Sequence, residues 1–160
     1  MTYYDDMPAN SKVWVYQSDR PFRDVEVQGI RHKLKEFILE WTAHGAKLKA
    51  FGDVYYNQFI VVMVDEAQAE ASGCSIDASV HFIKEIEKTF EVNLFDRLTV
   101  AYMQGQDVLL SSKDEVKSKI SQGEISEDTI IFNNMVKDKD AFETNWKIPL
   151  KESWVNTLVA

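Results

Sequence analysis

Apolar residues recur at every third or fourth position in two stretches of the chain. This spacing predicts two amphipathic helices, over 24–44 and over 75–90. Gly45 directly follows the first stretch, as expected for a helix that ends in a left-handed residue. The first stripe consists of Val27, Ile30, Leu34, Phe37, Ile38 and Trp41. The second stripe consists of Ile76, Val80, Ile83, Ile86 and Phe90.

Four other segments are rich in β-branched and aromatic residues and predict strands over 12–17, 48–56, 59–66 and 97–104. Asn57 and Gln58 separate the second strand from the third, so these two form a hairpin. The third strand is apolar from Phe59 to Val64. An unbroken apolar run is typical of a strand that is covered on both faces or lies in the middle of a sheet.

The order strand, helix, strand, strand, helix, strand is the split βαβ, or ferredoxin-like, pattern of an α+β protein. In that topology the first and third strands are central, and the second and fourth lie at the edges. Both helices then cover one face of the sheet through right-handed crossovers. The end of the first helix and the start of the second lie at the same end of the domain.

Residues 106–160 form an extension of this core, which spans 12–105. The pair Ser112 and Glu115 is a capping box that predicts a short helix, and 129–136 predicts a strand. Apolar residues in the tail, among them Trp146 and Trp154, predict that the extension folds back onto the core. No linker divides the chain, so 1–160 is a single domain.

Composition narrows the classes of function. The 160 residues carry a net charge of −8, which disfavours binding to nucleic acid and to anionic membranes. No apolar run is long enough to span a bilayer and no signal peptide is evident, which favours the cytoplasm. A single cysteine and three scattered histidines provide no metal-ligand spacing, and no phosphate-binding loop is present. We therefore predict no metal and no cofactor.

The single cysteine, Cys74, lies where the second helix begins, so Cys74, Ser75 or Asp77 could be its N-cap. A thiol there is activated by the helix dipole and opposed by the nearby carboxylate of Asp77. His44, at the predicted end of the first helix, lies at the same end of the domain. Two interpretations stay open: a catalytic Cys74–His44 pair, or a buried cysteine with an ordinary helix cap. The Ser75 hydroxyl and the helix amides could also bind a small anion.

Other candidate ligand-binding residues are Arg20 and Arg97, which are predicted to lie together at the opposite end of the sheet. A pair of arginines can hold a carboxylate or phosphate, although an acidic neighbour of Arg97 would occupy it instead. Asn133 and Asn134 interrupt an apolar strand. They mark either a turn or a ligand contact, because a buried amide needs hydrogen-bond partners.

Several segments resemble an uncharacterised family of bacterial proteins of about this length: VWVYQSDRPF, EWTAHGA, SGCSIDASVHFIKEIE, IIFNNMV and WKIPLKESW. Members of the family often carry the label "ABC transporter ATPase". The resemblance spans Val13 to Trp154 and implies no particular activity. This chain lacks the phosphate-binding lysine loop that a transporter ATPase requires. Val155 also stands where family members tend to have a histidine.

These patterns support two hypotheses about function. The first is a non-enzymatic cytoplasmic α+β module that binds a protein partner or a small anionic ligand, with a homodimer as one form of partner. The second is a thiol-dependent enzyme or redox sensor that uses Cys74 at a helix N-terminus.

Overall fold

A computed structural model of the chain, described over residues 2–67 and 69–158, confirms the α+β class. The helices are α1 (Asp24–Glu40), α2 (Gly73–Phe90), α3 (Lys113–Ser121) and α4 (Lys139–Asn145). The strands are β1 (Lys12–Gln17), β2 (Thr42–Ala43), β3 (Ala46–Lys47), β4 (Lys49–Tyr55), β5 (Phe59–Asp65), β6 (Val100–Gln104), β7 (Asp107–Ser111), β8 (Ile130–Phe132) and β9 (Lys147–Pro149). Short 3₁₀ helices span Tyr4–Asp6, Leu150–Glu152 and Trp154–Leu158.

The first sheet has the order β1-β5-β4, and both of its pairs are antiparallel. This is the order predicted for the first three strands of the core. Every residue of β5 is buried, because α1 and α2 cover one face of the sheet and the C-terminal extension covers the other. The apolar run Phe59–Val64 therefore has the two covered faces that its sequence indicates.

The predicted fourth strand does not join this sheet, so the ferredoxin-like order is not confirmed. β6 belongs to a second antiparallel sheet with the order β7-β6-β8-β9. A turn at Gly105, with φ of 63°, lets β6 pair with the strand that directly follows it, and such local pairing needs only a short loop to close. Before β6, the Asp96 carboxylate accepts hydrogen bonds from Leu98 N–H and the Thr99 hydroxyl. This local turn makes the strand begin at Val100 rather than at residue 97.

The first helix is shorter than predicted and the second starts earlier. α1 ends at Glu40, because Trp41 adopts an extended backbone and turns its buried ring towards α2. The Trp41 Nε1 donates a hydrogen bond to the Ser75 carbonyl at 2.9 Å, so the end of α1 and the start of α2 do lie together. Gly45, with φ of 80°, lies in the turn of the β2–β3 hairpin and not at a helix end.

The C-terminal extension packs on the core as predicted. Phe142 and Trp146 stack with ring centroids 4.6 Å apart, and Trp146 also meets Phe59 of β5 and Phe132 of β8. Trp146 is therefore a core residue, whereas 38% of the Trp154 surface is exposed. Side chains from both sheets share this core, so the extension and the first sheet form one packed unit.

Candidate functional site

A groove lies along the outer edge of β1, opposite the edge that pairs with β5. We call it the strand-edge groove, and it is lined by residues 12–16 of β1, Ile76 of α2, Arg97 and residues 134–137. Its volume is about 350 Å³. A second cavity of about 50 Å³ shares Arg97 and Met135 with it and continues towards Thr99. The groove exists because β6, predicted to pair here, lies in the other sheet.

Two contacts attach residues 133–138 to β1 and leave a gap between them. At one end the Val13 N–H donates to the Lys137 carbonyl at 3.0 Å, next to an isolated bridge between Lys12 and Asp138. At the other end the Asn134 side-chain amide donates to the Gln17 side chain at 2.9 Å. Among the described residues, no backbone hydrogen bond joins residues 134–136 to β1, so the middle of β1 has no strand on its outer side.

The backbone of Val15 lies in this gap. In an antiparallel strand, successive residues form their ladder hydrogen bonds on alternate sides. Because Val13 bonds outwards to Lys137, the N–H and carbonyl of Val15 also point away from β5. Within residues 2–67 and 69–158, no turn, loop or side-chain hydrogen bond engages either group. At an unpaired strand edge of this kind, the N–H can donate a hydrogen bond to a ligand or a partner and the carbonyl can accept one.

Arg97 lines the same groove as Val15. Its only hydrogen bond among the described residues goes from Nη1 to the Met135 sulfur at 3.4 Å. No described carboxylate lies within salt-bridge distance of it. The predicted pairing of Arg97 with an acidic neighbour is therefore not seen. The guanidinium retains the donors that bind a carboxylate in a bidentate manner.

The remaining charges give the groove a positive character on an acidic protein. Lys137 is exposed at its far end and makes no salt bridge with a described residue. Lys12 pairs with Glu66 at 3.2 Å. Asp96 lies near Arg97, but its carboxylate is held by Thr99 and Leu98, and these hydrogen bonds lower its pKa. Arg97 and Lys137 are thus the cations that face an incoming ligand.

Tyr16 adds a neutral group to the groove wall. Burial raises the pKa of its phenol, while the positive charge of Arg97 and a hydrogen bond with Ser79 oppose the rise. The phenol is therefore uncharged at neutral pH and does not compete for Arg97. The described lining contains no cysteine, histidine or serine.

The predicted thiol site, at the start of α2, lies outside the strand-edge groove. Ser72 is the N-cap, and its hydroxyl accepts the Ser75 N–H at 3.1 Å. The prediction that Cys74, Ser75 or Asp77 caps the helix is wrong. Ser72 is the N-cap of a capping box, in which the Ser72 N–H in turn donates to the Ser75 hydroxyl. The Ser75 hydroxyl is occupied by this cap, and Asp77 is exposed.

Cys74 is the second residue of α2 and is exposed, so the prediction that it is a buried apolar residue is wrong. His44 lies in the exposed turn of the β2–β3 hairpin, with φ of 51°. It is not the end of a helix, because α1 stops at Glu40. Although both residues lie near the same end of the domain, no hydrogen bond joins them in the part of the chain that the structure describes.

We expect Cys74 to react with iodoacetamide in the folded protein, because its side chain is exposed. A His44→Ala variant should react at the same rate, within about twofold, since the imidazole does not contact the thiol. Mass spectrometry of samples quenched over time would measure both rates. A rate that falls about tenfold or more in the variant would indicate that His44 activates the thiol.

The structure separates the other predicted ligand-binding residues. Arg20 forms a bidentate pair with the buried Glu26, at 2.9 and 2.8 Å, and also donates to the Phe90 carbonyl. It therefore does not lie with Arg97 in one cavity. The Asn133 side chain accepts the Met135 N–H at 3.2 Å and shapes the turn beside the groove. Of the predicted residues, Arg97 and Asn134 line the strand-edge groove.

Sequence reasoning missed two contributors to this groove, the backbone of Val15 and the sulfur of Met135, whereas Asn134 was named as a residue of a turn or a ligand contact. Asn134 also accepts the Trp146 indole N–H at 2.9 Å, so its amide joins the groove to the aromatic core. The pair of asparagines in an apolar strand was a usable signal for this turn. The exposed edge of β1 had no signal, because the predicted order covered it with the fourth strand.

The fold and the groove define an α+β protein with an open strand edge and a cation in the groove beside that edge. No protein-family model, curated protein or solved structure matches the chain. The family resemblance of the sequence segments therefore stays a prediction. No described helix has the length and apolar character required to cross a bilayer. The described residues also contain no cluster of three or more side chains suited to holding a metal ion.

Proposed function

We propose that the protein is a non-enzymatic cytoplasmic binding module that takes a small carboxylate-bearing ligand into the strand-edge groove. One observation carries this proposal: Arg97, which has no carboxylate partner among the described residues, lines the same groove as the open backbone edge at Val15. A single exposed thiol fits a reducing compartment, because free cysteines in oxidising compartments tend to pair.

The two unpaired features select a ligand with two kinds of group. Arg97 favours a carboxylate, to which a guanidinium donates two parallel hydrogen bonds. The N–H and carbonyl of Val15 favour a peptide residue, since the N–H and carbonyl of one extended residue point to the same side. A short peptide with a free terminal carboxylate has both kinds of group.

Binding of N-acetyl-alanyl-alanine with a free carboxylate would test the proposal by NMR titration. We expect the Val15 amide and the Arg97 side chain to shift together. Replacing Arg97 with glutamine, or the carboxylate with an amide, should weaken binding by about tenfold, equivalent to about 1.4 kcal/mol. This loss reflects the charge-assisted pair alone, because Arg97 supports no other described contact except that with Met135.

Lys117→Gln is the matched control, since Lys117 is an exposed cation on α3 and does not line the groove. It removes the same charge and should leave the affinity unchanged. If the Val15 amide does not shift at about 10 mM probe, well above a weak millimolar dissociation constant, the proposal fails. Equal loss of affinity in both variants would attribute binding to net charge and would also reject the groove.

A further inference from the structure

The first sheet has a second open edge, on β4. The sheet order β1-β5-β4 leaves the outer side of β4 without a neighbouring strand. β5 alternates its ladder bonds between β1 and β4, so Ala50, Gly52 and Val54 of β4 point outwards. The Val54 N–H is bound by the Asp53 carboxylate at 2.7 Å. Ala50 is buried, whereas Gly52 is half-buried, and no turn, loop or side-chain hydrogen bond engages Gly52 in the described ranges.

A groove of about 370 Å³ runs beside this edge, between β4, the C-terminal half of α1 and the N-terminal residues. We call it the β4 groove. Its apolar surface comes from Ile38, Phe51, Leu39 and Tyr3. Leu39 is 47% exposed and Tyr3 is 64% exposed. These two side chains are among the most exposed large apolar residues in the described chain, and both face one cavity.

Cations surround the apolar surface. Lys35 and Lys47 are exposed and form no salt bridge with a described residue. Arg31 is also present, paired with Asp53 at 2.8 Å. At physiological ionic strength, screening limits charge interactions to about 8 Å. A ligand in the groove therefore senses these lysines more than the net negative charge of the whole protein.

We propose that the β4 groove docks an extended acidic segment of a partner protein, which adds to β4 as an antiparallel strand. Gly52 supplies the main-chain hydrogen bonds, Leu39 and Phe51 contact apolar side chains of the segment, and Lys35 and Lys47 pair with its acidic ones. A second copy of this chain is disfavoured as the occupant. Pairing β4 with itself would bring the lysines of two identical grooves together.

This inference does not depend on the proposed function, because it concerns the opposite edge of the sheet. Its probe is a fluorescein-labelled seven-residue peptide of alternating glutamate and valine, as long as β4. Both ends are blocked, so the peptide has no terminal carboxylate for Arg97. We expect saturable binding by fluorescence anisotropy. A peptide of alternating lysine and valine should bind at least about tenfold more weakly.

Two variants locate the binding site. The double variant Lys35→Glu and Lys47→Glu should weaken binding by about tenfold or more, because it reverses both rim charges. The matched control is Lys33→Glu with Lys84→Glu, two exposed helical lysines outside the groove, and it should change the affinity less than twofold. Arg97→Gln should also have no effect. Equal losses in the rim and control variants would overturn the proposal.

A third comparison tests strand addition itself. Two peptides would be N-methylated, one at the odd-numbered and one at the even-numbered residues. Only one of these patterns removes the main-chain donors that face β4, and that peptide should lose about tenfold or more in affinity. Unchanged affinity for both peptides would reject strand addition. Sedimentation of the protein without peptide tests whether a second copy of the chain occupies the groove. A stable dimer that Leu39→Asp dissociates would assign the groove to a second copy and would overturn the acidic partner.

Discussion

Replacing Trp146 with alanine is expected to lower the free energy of unfolding by about 4 kcal/mol, the largest effect of any single substitution considered for this chain. The Trp146 ring is 3% exposed and contacts aromatic rings of the first sheet, the second sheet and α4. Alanine would leave a cavity at the point where these elements meet. Chemical denaturation followed by circular dichroism would measure the loss.

The Trp146→Ala substitution should also destabilise the hydrogen bonds that hold Asn134 beside the strand-edge groove. The Trp146 indole N–H donates to Asn134, whose amide in turn holds Gln17 of β1. Trp154→Ala is the control, because that ring is 38% exposed, and it should cost less than about 1.5 kcal/mol. Comparable losses in the two variants would contradict the assignment of Trp146 as the centre of the second core.

The elements of the first sheet could be predicted because each has a strong local pattern. β5 is apolar at six consecutive positions, a pattern typical of a strand that is covered on both faces or lies in the middle of a sheet. The buried stripe of α1, with Ile30 and Leu34, has the helical period. These patterns depend on near neighbours in the sequence, and they gave the order of three strands correctly.

The partner of the fourth strand could not be predicted in the same way. β6 is apolar enough to pair with either β1 or β7, and its own sequence does not distinguish them. The structure pairs β6 with β7 through the turn at Gly105. Closing that short turn costs less chain entropy than returning across the domain to β1. The open edge at Val15 follows from this pairing, so the groove could not be predicted without the pairing of β6.

The candidate site could be predicted only in part, because the sequence shows which side chains are reactive but not which are already paired. Cys74 and His44 were attractive by chemistry, yet a hairpin inserted after α1 places His44 in an exposed turn. Arg20 and Arg97 look alike in sequence. The first is paired with Glu26, whereas the second has no carboxylate partner among the described residues.

The two grooves occupy opposite edges of one three-stranded sheet, and this arrangement has a consequence for binding. β5 lies between them and is buried throughout, so a ligand at β1 and a strand at β4 would not compete for the same atoms. Because the central strand is rigidly packed, we expect the two sites to bind independently. The affinity of the glutamate–valine peptide should be unaffected by saturating N-acetyl-alanyl-alanine, apart from ionic-strength effects.

Replacing Glu26 with glutamine is expected to destabilise the protein by about 2 kcal/mol at pH 7, the typical loss for hydrogen bonds to a charged group. The Glu26 carboxylate is 4% exposed and accepts two hydrogen bonds from Arg20, one from the Arg23 N–H and one from the Arg23 side chain. Glutamine keeps the shape but loses the charge. Glu36→Gln is the control on the same helix, because that side chain is 66% exposed and should cost less than about 0.5 kcal/mol.

The difference between wild type and Glu26→Gln should depend on pH with a definite sign. The hydrogen bonds from Arg20, followed by those from Arg23, hold the pKa of Glu26 well below its ordinary value of 4.5, although burial opposes them. A carboxyl group with a depressed folded-state pKa contributes stability that is fully present above its ordinary pKa and is lost as pH falls towards the folded value. The two proteins should therefore differ by a constant amount from pH 7 to about pH 5.5 and converge below about pH 4.5. Urea denaturation at a series of pH values would measure this, and a difference that persists unchanged to pH 2.5 would show that the charge of Glu26 is not the source of the stability.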